Sequence, residues 1–445
     1  MTEKPWPVMA LPKHSAGDIH APRYSKQKQP ISTAPPMTRP KQLELFEPSK
    51  INVVPARRPE GRGVSLSAVG LFAGIGGFEI GLEAAGHKTN VVCEIDPVAS
   101  AVLAERFPGV KHEEDIRAMK RLPRCTSLVT GGFPCQDLSQ AGCTKGINGM
   151  RSGLVREVFR LADMTKPDFI LLENVPFMLQ LAKGHALDVV LGELESLGYS
   201  WAYRVVDTRS FGLPQRRERV FFVASREEDP RNILFADDAG EPPPVKRTKD
   251  VACGFYWTEG VRGLGWAVNA VPTLKGGSTV GVASPPAVLM PDGRIVTPTL
   301  EDAEALQGFR RGWTKPAEQV ARPTFRWKLI GNAVAVPVAK WLGKRLAKPG
   351  AVRDLTIEPL RPQARWPRAA FNVGGGRYAV DISAWPFHKP STSLIEMISE
   401  DAPLLSPRAT AGFLRRASQG SLRFPDGFLA AVERHLRRVG KVVQK

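Results

Sequence analysis

One stretch constrains the fold more than any other, because it combines an apolar run with a glycine turn. Leu66 to Phe72 has the composition of a buried strand, Ala73 to Gly77 is a tight turn with G-x-G-G spacing, and Phe78 to Ala85 has a helical pattern. Glycines let the backbone approach a ligand closely and leave the N-terminus of the following helix facing it. The stretch therefore predicts the strand, turn and helix that begin a nucleotide-binding α/β domain.

An acidic residue follows the turn at a spacing suited to ribose binding. The next predicted strand, Asn90 to Cys93, ends at Glu94, about 20 residues after the glycines, where a carboxylate can accept hydrogen bonds from two ribose hydroxyls. A glycine turn alone recurs in many folds, but with a strand, a helix and a well-spaced acid it favours cofactor binding. The spacing departs from the full G-x-G-x-x-G fingerprint, so the ligand need not be a dinucleotide.

A cysteine stands where a loop begins after another predicted strand. Ser127 to Thr130 is a short apolar run, two glycines end it, and Cys135 follows. In an open α/β sheet, ligands bind at the carboxyl ends of the strands. A free thiol has a pKa of about 8.5 and is a poor nucleophile at neutral pH, and an isolated cysteine is more often a small buried apolar residue. Packing and nucleophilic catalysis both explain this residue when it is taken alone.

A glutamate also lies at a predicted strand end. Phe169 to Leu172 is a fully apolar run that predicts a buried strand ending at Glu173. Taken singly, Glu173 is explained equally well by a structural role, as a helix cap or a solvated loop acid, and by a functional one. Since the carboxyl ends of parallel strands meet at one edge of a sheet, we expect Glu94, Cys135 and Glu173 to converge there.

A charged segment, Leu213 to Arg219, precedes the apolar strand Val220 to Ala224. Such a cluster is usually a solvated loop. Directly before a buried strand, however, some of its arginines must point along the sheet edge, where arginine can clamp a phosphate or carboxylate with two hydrogen bonds.

Charge and cysteine usage narrow the class of protein. The 445 residues include 62 Lys and Arg against 44 Asp and Glu, a net charge of +18. This excess suggests a polyanionic partner, most simply nucleic acid, rather than a membrane surface, because we find no apolar run of spanning length and no signal peptide. Five cysteines without a C-x-x-C pair indicate neither a disulfide framework nor a metal site, and they fit a cytoplasmic protein.

Five motifs occur in an order that is specific to one family. They are Phe72 to Gly77, Gly132 to Gln136, Glu173 to Val175, Gln215 to Arg219, and Gly331 to Pro337. On these motifs the chain resembles the DNA (cytosine-5) methyltransferases of bacteria and phages. The resemblance implies a doubly wound, mostly parallel α/β sheet, the class I S-adenosyl-L-methionine-dependent methyltransferase fold, with a small target-recognition domain and a C-terminal extension.

The domain boundaries follow from the sequence pattern together with this resemblance. Residues 1–64, rich in Pro, Lys, Ser and Thr, are predicted to be a disordered basic tail. Residues 65–225 would form the catalytic and cofactor-binding domain, completed by 331–348, where Asn332 is expected to open the last helix. The target-recognition domain and hinge would occupy 226–330. For the basic extension, 351–445, two roles are open: an auxiliary DNA-contacting module, and a packing or protein-contact domain.

The resemblance also implies the roles of individual residues. S-adenosyl-L-methionine would contact a set of residues around the glycine turn, namely Phe72, Gly74, Gly76, Glu94, Ile95, Asp115, Ile116 and Asn332. Cys135 would attack C6 of cytosine, Glu173 would share a proton with N3, and Arg217 and Arg219 would position the base. Because these atoms are unreachable inside a duplex, the base must be flipped out. The expected DNA contacts are Gln136, Ser139, Arg151 and Val175.

Two rival functions fit the sequence less well. An RNA-directed relative of this family would carry a Cys-Phe-Thr signature, which the sequence lacks, and a catalytically inactive DNA-binding regulator would have no need of Cys135, Glu173 and Arg217 together. The expected partners are therefore double-stranded DNA and, in a restriction-modification system, a cognate restriction endonuclease. We expect a monomer and no membrane association.

Overall fold

A ten-stranded sheet lies at the centre of this computed structural model, which describes residues 63–134, 153–243, 250–276, 284–352, 355–361 and 364–443. The strands, in order across the sheet, are β14 (Ile357–Pro359), β16 (Gly376–Val380), β15 (Ala369–Val373), β6 (Ser200–Asp207), β8 (Glu218–Ser225), β5 (Phe169–Asn174), β4 (Leu128–Gly131), β1 (Ser67–Leu71), β2 (Lys88–Cys93) and β3 (Lys111–Glu113). Neighbouring strands from β3 to β5 pair in parallel, whereas β8 is antiparallel to both β5 and β6. The predicted α/β class is confirmed.

Helices cover both faces of this sheet, as in a doubly wound fold. They and the helices farther along the chain are α1 (Gly77–Glu83), α2 (Pro97–Arg106), α3 (Val155–Thr165), α4 (His185–Ser196), α5 (Arg231–Leu234), α6 (Leu300–Leu306), α7 (Arg326–Asn332), α8 (Val336–Ala347), α9 (Leu394–Met397), α10 (Pro407–Gln419) and α11 (Phe428–Val443). α3 and α4 pack on one face, and α1, α5 and α8 pack on the other. The strand order reverses at β1, so a crevice opens at the carboxyl ends of β1, β2 and β4.

Local sequence explains where the first elements begin and end. β5 is buried along its whole length, as expected of an apolar strand between two helical layers. α2 begins after Asp96, whose carboxylate accepts a hydrogen bond from the Val98 N–H, and Pro97 occupies its first position. The glycine turn ends at Gly76, which has a left-handed backbone and directly precedes α1.

The chain returns from far along the sequence to complete the first face of the sheet. α8 and the residues just before it pack closely on α1. A Cβ at Gly77 would overlap the Val334 carbonyl, and a Cβ at Gly81 would overlap Ala339 of α8. His87 connects the beginning of β1 to α8. Its Nδ1 accepts the Leu66 N–H at 3.0 Å, and its Nε2 lies 2.8 Å from the Gly343 carbonyl oxygen.

The expectation that Asn332 opens the last helix is wrong. Asn332 is the last residue of α7, Ala333 has an extended backbone, and the last helix of this return, α8, begins at Val336. The physical reason is Pro337, which lies in the first turn of α8 and favours a helix that starts beside it.

A second, four-stranded sheet is covered by protein on both faces. Its strands, in order, are β10 (Trp266–Val268), β9 (Cys253–Phe255), β12 (Ala287–Leu289) and β13 (Ile295–Val296). Val288 and Val296 face a core shared with α6 and α7, whereas their neighbours Leu289 and Ile295 face a core shared with α10 and α11. A two-stranded pairing of β7 (Gln215–Arg216) with β11 (Val271–Pro272) connects this region to the large sheet.

The C-terminal region contributes to both sheets. β15 pairs with β6, so β14, β15 and β16 extend the large sheet, whereas α10 and α11 cover the small one. The His435 side chain fastens α11 to the small sheet, since its Nδ1 accepts the Ile295 N–H at 3.2 Å. Among the described residues, no helix is long and apolar enough to cross a membrane.

The contact between α1 and α8 predicts opposite effects of the same substitution at two helical glycines. A Cβ at Gly81 would overlap Ala339, whereas a Cβ at Gly192 in α4 would meet no atom within 4 Å. Gly81→Ala should therefore destabilise the protein by about 1–3 kcal/mol through overpacking. Gly192→Ala should stabilise it by roughly 0.5–1 kcal/mol, because alanine favours a helix. Denaturant unfolding of both variants measures this, and equal shifts would contradict the packing.

Candidate active site

The glycine turn has one packed side and one open side. Gly76 has φ +86°, and a Cβ on it would overlap the Phe107 ring, while the Trp313 Nε1 donates to the Ile75 carbonyl at 2.8 Å. Gly74 has φ +57°, and a Cβ there would meet nothing within 4 Å. Core side chains therefore contact the turn at Ile75 and Gly76, and the side of the turn at Gly74 is open to a ligand.

Glu94 is fixed against this turn by two backbone groups. Its Oε2 accepts the Gly74 N–H at 2.7 Å, and its Oε1 accepts the Asp96 N–H at 2.8 Å. Each carboxylate oxygen keeps a second lone pair, so the side chain can still accept hydrogen bonds from a ligand. Ile95, beside it, is 62% exposed, which is unusual for a large apolar side chain in an ordered region.

The other predicted cofactor residues lie in different environments. Phe72 is half-buried with φ +54°, a strained backbone for a non-glycine residue. Asp115 is held by Arg117 at 2.7 Å, and that guanidinium keeps the pKa of the carboxyl below its usual range. The Ile116 side chain is buried in the core. Asn332 is exposed, and its Oδ1 lies 3.0 Å from where a Cβ of Gly276 would be.

An ion pair joins α7 to the edge that carries Ile95. The Lys328 Nζ lies 2.9 Å from Asp96 Oδ2, and with the Val98 N–H it holds the pKa of Asp96 down against the opposing effect of burial. Neither residue was predicted from the sequence. Asp96 carries a sequence signal, because it directly precedes the proline that begins α2, whereas Lys328 carries none.

Glu173 and Arg219 form a buried ion pair at the carboxyl end of β5. The Arg219 Nε lies 3.0 Å from Glu173 Oε1, and the two side chains are 13% and 9% exposed. Burial raises the pKa of the Glu173 carboxyl, although Arg219 and Arg217 oppose that shift. The site therefore contains an acid that holds its proton to higher pH than an exposed glutamate does, next to a fixed cation.

Asn174 connects this pair to the exit of β4. Its Nδ2 donates to the Phe133 carbonyl at 3.0 Å, and its Oδ1 accepts the Val175 N–H at 2.9 Å. A Cβ on Gly132 would lie 3.2 Å from Glu173 Oε2, so the glycine allows the acid to approach the strand exit. The chain is thus held two residues before Cys135. Cys135, Gln136, Ser139 and Arg151 themselves lie outside the described residues.

Arg217 occupies a different position from Arg219. It is 1% exposed, and its Nη1 donates to the carbonyls of Gly331 at 3.1 Å and Leu274 at 3.3 Å. Its Nη2 donates to the Ala333 carbonyl at 2.8 Å. These bonds connect the residue before β8 to the end of α7, to the residue after α7 and to the segment that follows β11.

One buried acid near the turn was missed by the sequence analysis. The Glu79 side chain, from α1, fills the space that Gly70 leaves in β1, and its Oε2 has no hydrogen-bond partner among the described residues. Burial raises the pKa of Glu79 to about 7. A glycine inside an apolar strand is the signal that another group approaches closely, and Gly70 carried that signal.

Known proteins are similar in sequence to this chain, and one of them is similar over most of it. The family model of C-5 cytosine-specific DNA methylases matches residues 66–252. The type II methyltransferase M2.BsuMI of Bacillus subtilis is 46% identical over 383 residues, which cover 83% of this chain and 98% of that protein. M.HgiBI of Herpetosiphon aurantiacus is 37% identical over 36% of this chain and 37% of its own length. M.NaeI of Lentzea aerocolonigenes is 30% identical over 63% of this chain and 75% of its own length.

The first of these relatives is matched over nearly its whole length and over more than four fifths of this chain. The chain belongs to the C-5 cytosine-specific DNA methylase family.

Proposed function

We propose that the chain transfers a methyl group from S-adenosyl-L-methionine to C5 of a flipped cytosine in double-stranded DNA, through a covalent adduct with Cys135. The observation that carries the proposal is the buried Glu173–Arg219 pair, which Asn174 holds beside the strand exit that leads to Cys135. The reaction needs an acid with a raised pKa, a cation beside it and a nucleophile, and Glu173, Arg219 and Cys135 would supply them. The type II methyltransferases to which the chain is similar support a role in restriction and modification.

The residues around the glycine turn fit the methyl donor. Gly74 leaves open space above the turn, Glu94 has free lone pairs for ribose hydroxyls, and exposed Ile95 offers an apolar surface to the adenine ring. Asp115, at the end of the neighbouring strand, would face the adenine amino group. S-adenosyl-L-methionine supplies an electrophilic methyl group on a sulfonium centre when it is bound.

The chemistry explains why an acid and a cysteine are needed together. The Cys135 thiolate adds to C6 of cytosine, which forms an S–C6 bond and moves the electron pair of the C5–C6 double bond towards C5. Glu173 gives its proton to N3 and so neutralises the charge that develops on the ring. After C5 has gained the methyl group, the C5 proton passes to water, the S–C6 bond breaks to release the thiolate, and N3 returns its proton to Glu173, which restores the ring.

The position of Glu173 supports base flipping. The Glu173 side chain is only 9% exposed, so a cytosine stacked inside a duplex cannot reach its carboxyl. The base must leave the stack and enter the pocket, at a cost of a few kcal/mol for unpairing and unstacking. Arg219 would then contact the flipped base, whereas Arg217 would hold the pocket wall through backbone carbonyls.

Cys135→Ser should abolish methyl transfer, because a serine hydroxyl is far less ionised and less nucleophilic than a thiol. Binding of S-adenosyl-L-methionine should persist, since its proposed site lies on other strands. Transfer of a radiolabelled methyl group to DNA measures the first effect, and calorimetry measures the second. Cys125→Ser, at an exposed cysteine, is the matched control. Full activity of Cys135→Ser would rule out the covalent mechanism.

Glu94→Ala should weaken S-adenosyl-L-methionine binding by roughly 10- to 100-fold, the effect of losing hydrogen bonds to a charged group worth about 1.5–3 kcal/mol. Titration calorimetry measures the dissociation constant directly. Glu105→Ala removes a half-exposed glutamate on α2 and should leave that constant unchanged. Equal affinities for all three proteins would show that Glu94 does not contact the ligand.

Glu173→Gln should lower kcat by roughly 100-fold or more, because an amide cannot deliver a proton to N3. Burial raises the pKa of Glu173, so the wild-type acid stays protonated in a range where an exposed glutamate is ionised. The wild-type kcat should fall as pH rises through that raised pKa, and the variant should lack this decline. A pH profile of kcat for both proteins tests the assignment, and identical profiles would contradict it.

A further inference from the structure

We propose that Trp313 is a positioning residue for the cofactor site: its indole N–H holds the glycine turn in the shape that binds S-adenosyl-L-methionine. Trp313 lies between α6 and α7, and the residue of the turn that it contacts is 238 positions earlier in the chain. None of the five sequence motifs includes it. This inference rests on the proposed function and adds to it a residue that acts through the turn.

The indole reaches the middle of the turn. Its Nε1 donates to the Ile75 carbonyl at 2.8 Å, between Gly74 and Gly76, whose backbones are both left-handed. The neighbouring amides are bonded elsewhere, since the Gly74 N–H donates to Glu94 and the Gly76 N–H donates to the Ala73 carbonyl at 3.0 Å. Ile75 is fully buried, so solvent does not replace the indole as a donor to this carbonyl.

That carbonyl belongs to the peptide that shapes the open side of the turn. The hydrogen bond fixes the plane of the peptide between Ile75 and Gly76, and a rotation of this plane would change the backbone angles on both sides of it. The same turn holds Glu94 through the Gly74 N–H. A rotated peptide would therefore disturb both the open side at Gly74 and the carboxylate proposed to bind the ribose.

Aromatic and cationic groups hold the indole ring in place. The Phe107 ring packs edge-on against it, with the centroids 6.0 Å apart, and also fills the space beside Gly76. The guanidinium carbons of Arg106 and Arg310 lie over the indole, 5.3 and 5.4 Å from its centroid. A buried ring packed in this way has little freedom, so its N–H stays directed at the turn.

The backbone around Trp313 is fixed by two helices. Arg106, the last residue of α2, donates from Nη2 to the Gly312 carbonyl at 2.7 Å and from Nε to the Trp313 carbonyl at 3.0 Å. Glu304 of α6 is fully buried, and its carboxylate accepts the Gly312 N–H and, at 2.7 Å, the Thr314 N–H. The position of the indole, and with it that of the turn, therefore depends on α2 and α6.

A purely structural role of Trp313 is the alternative. A buried aromatic ring contributes packing wherever it lies, and packing depends on the ring, whereas the shape of the turn depends on the N–H. Trp313→Phe separates the two roles, because phenylalanine keeps an aromatic ring and removes the donor.

Titration calorimetry of the full-length Trp313→Phe protein, without DNA, measures the dissociation constant of S-adenosyl-L-methionine. We expect this constant to rise by roughly 3- to 10-fold, the effect of losing one hydrogen bond. The KM for S-adenosyl-L-methionine should rise by the same factor and kcat should change by less than about twofold, since the reacting groups are untouched. Trp366→Phe is the matched control, because it removes an indole donor to the Gly184 carbonyl on the β15 side of the large sheet. It should keep the wild-type constant.

Wild-type affinity and KM in Trp313→Phe would refute the positioning role. If the wild-type protein also forms 5-methylcytosine, that result leaves the proposed function standing. A wild-type protein that does not bind S-adenosyl-L-methionine would refute the proposed cofactor site and this inference together.

Hydrogen exchange of the wild-type protein tests the same coupling without a substitution. Coupling between two groups is reciprocal, so S-adenosyl-L-methionine should slow amide exchange at residues 312–314 if the indole and the ligand favour the same shape of the turn. Unchanged exchange at these residues, in protein saturated with the ligand, would overturn the proposal even where Trp313→Phe does not fold.

Discussion

The site and its surroundings depend on one buried cation, Arg217. Its guanidinium donates to the carbonyls of Leu274, which follows β11, Gly331, which lies in α7, and Ala333, which lies between α7 and α8. Burial lowers the pKa of Arg217, the charge of Glu173 opposes that shift, and the three carbonyls accept hydrogen bonds from the guanidinium. An uncompensated buried charge costs several kcal/mol, and the three segments must therefore stay in register with β8. Because β8 also carries Arg219, the position of the acid pair depends on the same contacts.

The C-terminal region is an integral part of this fold. α10 and α11 supply one of the two cores of the small sheet, and β15 pairs with β6 at the side of the large sheet. Arg377 of β16 adds ion pairs to Asp188 and Glu195 of α4. Since both faces of the small sheet are covered, any reading of DNA bases by that region has to come from its loops and edge strands. Removing the region would expose two cores at once, so substitutions on its surface report its role better than truncation does.

Sequence patterns predicted the strand ends well, because apolar runs and glycines mark them directly. Glu94 and Glu173 lie at the ends of β2 and β5, as expected. The different environments of Arg217 and Arg219 were not predictable, because alternate residues of an extended strand share a side, and only the tertiary structure decides which meets Glu173. The pairing of β15 with β6 was not predicted either, because it joins distant parts of the sequence. Tyr203 and Pro367, which are hydrogen-bonded there, are 164 positions apart. The start of α8 was misplaced because Asn332 lies in a motif whose backbone changes from helical to extended at the next residue.

The return of α8 to α1 has a consequence for the order in which the protein folds during synthesis. The buried histidine that joins the two parts, His87, bonds to Gly343, 256 positions later. At a translation rate of about 5 to 20 residues per second, roughly 13 to 50 s pass between the synthesis of His87, just after α1, and that of Gly343 in α8. During that interval the glycine turn has its strand and its helix but lacks the support of α8. The apolar face of α1 therefore stays uncovered by α8 until the last third of the sequence is synthesised, and it can contact other apolar surfaces during that time.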